Sequence, residues 1–170
     1  MPEYYYDKDN GRKVTKAGFV KDNRGLTYYL DEKGEKVLGL HEINGDLYYF
    51  RQGGAYKYTQ LGDMWQDSIN YIDGKIYYFG HDGKAIKNRF YQWGNYWYYF
   101  YADGTAATGA VQINGQKLYF DKNHGRQVKG AFAPDGHYYD ENSGELVTNQ
   151  TRTINGVTYH FDENGRAKQL

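Results

Sequence analysis

Cysteine is absent from this sequence, which excludes disulfide bridges and thiolate metal sites. Proline and methionine occur only 2 times each. No apolar run is long enough to span a bilayer, so we expect no membrane insertion. The first residues, Met1 to Tyr4, do not begin a signal peptide, so any export signal is expected to lie outside this sequence.

The chain also lacks an excess of charge of either sign. Lys and Arg together number 21, as do Asp and Glu, which gives a formal net charge of +0. Nucleic acids and anionic membranes both attract proteins through a basic field. The balance therefore argues against a nucleic-acid partner and favours a neutral ligand.

Aliphatic residues are sparse, because hydrophobic residues make up only 39% of the chain and many of them are the 21 tyrosines. A tyrosine ring is large and stiff, and its polar tip needs water or a hydrogen-bond partner. This composition predicts a thin body in which many rings lie near the surface.

The rings recur at a regular interval. Four segments share one pattern: INGDLYYF (43–50), IDGKIYYF (72–79), INGQKLYF (113–120) and INGVTYHF (154–161). The aromatic strand of each copy ends in Phe, Tyr or Leu, and we call this last residue the marker. Markers stand at positions 6, 30, 50, 79, 100, 120, 139 and 161. Eight copies with a period of about 20 residues predict a repeat architecture.

Each copy reads as a β-hairpin. The pairs Asn44-Gly45, Asp73-Gly74, Asn114-Gly115 and Asn155-Gly156 can adopt the positive φ values of tight hairpin turns. A second turn ends in glycine, and Asp103, Asp121 and Asp162 are predicted to bond their own backbone there. No segment has a 3.6-residue period, so helix is not expected. The predicted fold is an all-β β-solenoid of stacked hairpins in a single domain, 1–170, irregular at 51–68.

Strand alternation assigns the rings to two faces. The marker is expected on an inner face, stacked against neighbouring copies. The residue before it, which we call the pre-marker, is an aromatic ring or His160 in all eight copies. The pre-markers include Tyr78, Tyr99 and Tyr119, and we expect them to line grooves between successive hairpins.

Three stretches resemble the glucan-binding repeats of bacterial glucansucrases: INGQKLYFDKNHGRQVKG (113–130), IDGKIYYFGHDGKAIKN (72–88) and NRFYQWGNYWYYFYADGTAATGA (88–110). The resemblance covers nearly the whole chain and is weakest over 51–68. It implies a repeat arm of an extracellular enzyme, secreted or held at the cell surface, that binds an α-glucan such as dextran.

The resemblance also implies pockets in which a stacking ring is joined by Gln and Lys from neighbouring copies. A pyranose offers an apolar face to a ring and hydroxyls to amides and ammonium groups. Pockets are expected within 69–131. The candidate ligand-binding residues are Tyr78, Trp97, Tyr99, Tyr119, Gln112, Lys122, Gln127 and Lys129.

Two sister groups share the hairpin and remain as alternatives. Choline-binding repeats cage a quaternary ammonium between paired Trp residues, and Trp93 and Trp97 fall in one copy here. Clostridial toxin repeats, which bind receptor sugars, also resemble the YYF strands. A structural spacer or self-association surface is a further alternative.

Catalysis, metals and cofactors are not expected. Glycosidases need two carboxylates at a set separation, and no pair stands out among the repeated turn Asp residues. The 5 His residues are scattered without metal-ligand spacing. The oligomeric state is not encoded in any pattern here.

Overall fold

A computed structural model describes residues 4–53 and 61–170. The middle of the segment predicted to be irregular, 54–60, lies outside the described residues. The chain divides into two compact units, Met1–Asp73 with Tyr77–Ile86 and Gly74–Ile76 with Lys87–Leu170.

Regular structure in these ranges is entirely β, as predicted. The strands are β1 (Gly18–Lys21), β2 (Thr27–Leu30), β3 (Gly39–Ile43), β4 (Asp46–Phe50), β5 (Ser68–Ile72), β6 (Lys75–Phe79), β7 (Arg89–Trp93), β8 (Tyr96–Phe100), β9 (Gly109–Ile113), β10 (Gln116–Phe120), β11 (Ala131–Phe132), β12 (Tyr138–Tyr139), β13 (Gln150–Ile154), β14 (Val157–Phe161) and β15 (Ala167–Gln169). Consecutive strands pair as antiparallel hairpins, and β15 adds to the edge of β14. No helix in the described part of the chain is long and apolar enough to cross a membrane.

The turn chemistry follows the sequence. Both residues of the four Asn-Gly and Asp-Gly pairs have positive φ, for example 51° at Asn114 and 81° at Gly115, as a type I′ turn requires. The predicted Asp caps are also present: Asp103, Asp121 and Asp162 each accept a backbone N–H from the residue two positions on, at 2.9 Å. Both turns of a copy are therefore defined by residues within that copy.

Successive copies are joined by a repeated backbone bond. In each copy one residue bridges back to the marker, and we call it the bridging residue. Its N–H donates to the carbonyl three residues before the previous marker; the bonds are Met64 to Thr27, Ala85 to Leu47, Ala106 to Ile76, Gln127 to Trp97 and Leu146 to Lys117, at 2.7–2.8 Å. This bond sets each hairpin beside the strand before it.

Markers form the core, as predicted. Phe50, Phe79, Phe100, Phe120 and Phe161 are 0% exposed. Tyr6, at 58%, departs from this pattern; it forms an isolated bridge with Lys13 rather than part of a strand. The marker face therefore excludes water along both units.

The pre-marker rings differ from their expected role. Several pack against the marker of the following copy: Tyr49 lies 6.4 Å from Phe79, and Tyr119 lies 5.7 Å from Tyr139 between ring centroids. In these copies the following hairpin covers the strand face that carries the pre-marker ring. The pre-markers lie between successive hairpins as expected, but most of their surface is sealed against protein.

Candidate functional site: clefts between repeat copies

The indole of Trp97 is the exposed ring around which a site forms in the second unit. Trp97 lies on β8 opposite Gln92 on β7, and 37% of it is exposed. Its backbone carbonyl accepts the N–H of Gln127 at 2.8 Å, which brings the next copy alongside. Lys129, two residues further on, places its Nζ over the indole at 5.4 Å from the ring centre. The structure thus gathers Trp97, Gln127 and Lys129 in one place.

Gly144 shapes the far side of this cleft. It has φ of 74°, and a Cβ there would collide with the Gln127 amide and come within 3.3 Å of Lys129 Cγ. The missing side chain lets Gln127 and Lys129 lie side by side across the turn 140–144. The Lys129 Nζ also donates to the Asn142 carbonyl at 3.4 Å, a long bond that a ligand hydroxyl could replace.

Neighbouring copies do not repeat this polar pair. The positions equivalent to Gln127 and Lys129 hold Ala106 and Thr108 one copy earlier, and Leu146 and Thr148 one copy later. At these two repeat positions, an amide and an ammonium therefore occur together only in this cleft among the described copies of the second unit. The exposed ring, the amide and the ammonium form the combination that a neutral polyhydroxyl ligand requires.

A second positive group covers the neighbouring ring of the same hairpin. The guanidinium carbon of Arg126 lies 4.1 Å from the centre of the Tyr96 ring. Trp93 pairs across the hairpin with Tyr96, whereas Trp97 pairs with Gln92, so the two tryptophans lie on opposite faces. The hairpin therefore does not bring Trp93 and Trp97 together around one ligand.

The other predicted polar residues lie elsewhere. Gln112 pairs with Lys117 across β9 and β10, and both line a separate cleft of 450 Å³ with Asp135, His137 and Asn164. Lys122 is exposed, and its Cε lies 3.7 Å from the position that a Cβ would take on Gly109. The sequence suggested these residues as candidates but carried no information on which of them share a cleft.

The predicted rings divide by exposure. Tyr78, in the first unit, is 5% exposed and Tyr119 is 2% exposed, so neither offers a ring face to a ligand. Tyr99 is half-buried in edge contact with Phe90, at 4.9 Å between centroids, and packs against the cluster around Phe120. These tyrosines are packing residues, because the next copy covers the strand face on which their rings lie.

Carboxylates near the cleft are held in turns. Asp140 begins the turn that ends at Gly144, and its carboxylate accepts the N–H of Ser143 and a bond from the Arg152 guanidinium, both at 2.8 Å, as well as the N–H of Asn142. These bonds hold the pKa of Asp140 well below its usual range. Asp140 is therefore charged, and its bonds hold the turn 140–144 that forms one wall of the cleft.

The first unit contains clefts that the sequence did not predict. One, of 410 Å³, lies between Lys21, Thr27, Tyr48, Gln66 and His81. It is equivalent to the Trp97 cleft, since Thr27 and Gln66 occupy the repeat positions of Trp97 and Lys129. The expectation that pockets would be confined to the regular copies over 69–131 overlooked it, because Thr27 lacks the ring used to recognise a site.

Two family descriptions match the chain. The choline-binding repeat matches residues 107–150, and the putative cell wall binding repeat matches 17–36, 88–106 and 152–167. The chain therefore contains repeats of the choline-binding and cell-wall-binding type. Within the second unit the matches include Trp97, Gln127 and Lys129.

The chain's sequence relatives are glucosyltransferases, in agreement with the resemblance noted in the sequence. It is 39% identical over 166 residues to Glucosyltransferase-I of Streptococcus downei, which covers 94% of this chain and 10% of that protein. It is 38% identical over 169 residues to Glucosyltransferase-S of Streptococcus mutans serotype c, covering 96% of this chain and 11% of that protein. The chain thus spans about a tenth of the length of these curated relatives.

Solved structures share the hairpin fold. Choline binding protein F of Streptococcus pneumoniae superposes with a TM-score of 0.77 at 28% identity, over 98% of this chain and 54% of that one. CbpJ from Streptococcus pneumoniae TIGR4 gives 0.74 at 26% identity, over 99% of this chain and 58% of that one. The fold is therefore that of choline-binding repeat proteins, whereas the sequence relatives are glucosyltransferases.

Proposed function

We propose that this chain is a non-catalytic carbohydrate-binding module that holds α-glucan chains in clefts between its repeat copies. The observation that carries the proposal is the convergence of Trp97, Gln127 and Lys129 on one cleft. The indole covers the apolar face of a glucose ring. The amide and the ammonium bond the surrounding hydroxyls, with the Lys129 ammonium moving off the indole on its flexible stem.

The charges around the cleft favour a neutral sugar over choline. A quaternary ammonium binds through an aromatic face, and here Lys129 already places positive charge over Trp97. Like charges repel at such distances. A choline cage would also need Trp93 and Trp97 on one face, which the register of β7 and β8 does not provide.

A binding role without catalysis agrees with the carboxylates and with the relatives. The turn Asp residues bond their own backbone rather than facing each other across a cleft. The match with glucosyltransferases covers about a tenth of their length and coincides with the binding-repeat family. We therefore infer an appendage of a larger extracellular glucansucrase, in which the copies of 1–170 continue as one β-solenoid.

Polymer length is expected to compensate for weak individual sites. The clefts are open and polar, so each holds a sugar weakly. A long glucan that reaches two clefts gains affinity through its raised effective concentration, without any new contact. The module would thereby keep product, or a glucan-coated cell surface, close to the enzyme.

A matched pair of variants tests the proposal by isothermal titration with isomaltotriose. Trp97→Ala removes the stacking face and is expected to weaken binding at least about tenfold, the effect of truncating an anchoring Trp. Trp93→Ala removes the same residue type from the opposite face of the hairpin and should leave the affinity within about twofold. Equal losses in both variants, or displacement of the sugar by choline chloride, would contradict the proposal.

A further inference from the structure

A second type of cleft lies in the first unit, where the copies are irregular. It measures 440 Å³, within the range of about 300–1,000 Å³ typical of small-molecule sites. Its walls include Thr27, Arg51, Asp63, Trp65, Gln66 and Asn70. These residues were not among the candidates that the sequence suggested.

This cleft is not a copy of the Trp97 cleft. Its core is an ion pair between Arg51 and Asp63, and Arg51 stands directly after the marker Phe50. Five other copies place a turn aspartate at that position: Asp7, Asp31, Asp121, Asp140 and Asp162. The Arg51–Asp63 pair is therefore a feature of the irregular copy rather than of the repeat.

The ion pair is held rigidly. Arg51 Nε and Nη2 bond the two Asp63 carboxylate oxygens at 2.6 and 3.3 Å. The Arg51 N–H bonds the Asp63 carbonyl at 3.0 Å, and the side chains are only 25% and 11% exposed. A paired guanidinium and carboxylate offer donors and acceptors at fixed positions while their charges cancel.

An aromatic wall and fixed amides complete the cleft. The Trp65 ring packs on Tyr49 at 4.1 Å between centroids, and the backbone N–H of Trp65 donates to the Tyr49 carbonyl at 2.9 Å. Asn70 Nδ2 donates to Ser68 Oγ at 2.9 Å, which sets the orientation of the amide. An indole beside neutral and charge-balanced hydrogen-bonding groups suits a ligand rich in hydroxyls and without net charge.

We propose that this Arg51–Asp63–Trp65 cleft is a second α-glucan site, different in construction from the Trp97 cleft. The vicinal hydroxyls of a glucose unit bond the guanidinium and the carboxylate, and Asn70 and Gln66 bond the next unit. The choice of sugar rests on the proposed function, whereas the position and the chemistry of the cleft do not.

The 3 tryptophans provide separate probes, because each gives one indole N–H signal in a proton–nitrogen correlation spectrum. The full chain is titrated with isomaltotriose after assignment by Trp→Phe variants. The Trp65 signal is expected to shift saturably, and it should continue to do so in Trp97→Ala. Asn70→Ala should weaken the Trp65 response roughly threefold to tenfold, the effect of losing a hydrogen bond. His81→Ala, which alters the adjoining cleft that shares Thr27 and Gln66, should leave it unchanged.

The other possible outcomes of the titration distinguish the Trp65 site from the Trp97 site. If Trp97 responds and Trp65 does not, the second site is overturned and the proposed function stands. If the Trp65 response disappears in Trp97→Ala, it reports the Trp97 site and the inference is overturned. If the Trp65 signal alone shifts, the second site stands and the Trp97 assignment fails. If neither signal shifts, both proposed sites are overturned.

Discussion

At the scale of single residues, the tyrosines and the tryptophans of this chain have different roles. Tyr78, Tyr98 and Tyr119 lie in the core at 5%, 2% and 2% exposure. Trp93 and Trp97 stay 42% and 37% exposed on the same hairpin. The abundant ring is thus mainly structural, and Trp97, one of only 3 tryptophans, is available to a ligand.

A substitution at Tyr119 tests the structural role of the pre-marker rings. Tyr119→Ala is expected to lower the free energy of unfolding by about 3–5 kcal/mol, as for other buried aromatic truncations. Tyr119→Phe keeps the ring and should cost less than about 1.5 kcal/mol. Urea unfolding followed by tyrosine and tryptophan fluorescence measures both. A fully stable Tyr119→Ala would show that the ring is not part of the core.

Sequence reasoning at this scale identified residue types better than their neighbours. Gln127, Lys129 and Trp97 were all candidates, because a sugar site needs a ring, an amide and an ammonium. Their grouping depends on the Gln127-to-Trp97 backbone bond between copies, and no local pattern encodes that bond. For the same reason Gln112, which was also a candidate, lies in a different cleft.

At the scale of the hairpin, two kinds of turn determine the geometry. Asn-Gly pairs close the strands, and Asp-capped turns ending in glycine return the chain to the next copy. Both were predictable, because each depends on a few adjacent residues. The covered pre-marker face was not, since it depends on where the following hairpin packs.

Gly144 links turn geometry to the proposed binding. Gly144→Ala is expected to cost about 1–2 kcal/mol of stability through its positive φ, and to weaken isomaltotriose binding because the new Cβ displaces the Gln127 amide. Gly156→Ala is the matched control: its φ is 81°, but no atom lies within 4 Å of the added Cβ. Thermal unfolding and titration of both variants separate strain from site damage. Unaltered sugar binding in Gly144→Ala would argue against a role for Gln127.

The turn at Asp140 makes stability depend on pH. Its bonds to Ser143 and Arg152 lower the pKa of Asp140 in the folded state below the unfolded value of about 3.9. The carboxylate therefore stabilises the fold above about pH 4, and this contribution is lost as the pH falls through the folded-state pKa. Asp140→Asn should unfold more readily than the parent at pH 7, with the difference shrinking toward pH 2. A stability difference between the parent and Asp140→Asn that grows as the pH falls would contradict this role of the Asp140 carboxylate.

At the scale of the whole molecule, the charge balance constrains the partner. The net charge is +0, and the proposed ligand is uncharged. Binding should therefore release few counterions, and the dissociation constant for dextran should change by less than about twofold between 50 and 500 mM NaCl. A steep loss of affinity with salt in the titration would indicate an anionic polymer instead.

The repeat architecture was the most predictable property at this scale. Marker spacing indicated the repeated copies, because a period can be read without knowing any contact. The Asn-Gly and Asp-Gly turns then indicated that each copy is a hairpin. The irregular segment was recognised as a break in the period. Its Arg51–Asp63 cleft was not foreseen, since the two residues are 12 positions apart and their pairing exists only in three dimensions.

The most direct test of the central claim is a crystal structure of the chain soaked with an isomalto-oligosaccharide. The account predicts a glucose ring stacked on the Trp97 indole, with Gln127 and Lys129 bonded to its hydroxyls and the Lys129 ammonium moved off the ring. A saturated crystal in which the Trp97 cleft stays empty while sugar binds elsewhere would contradict the account.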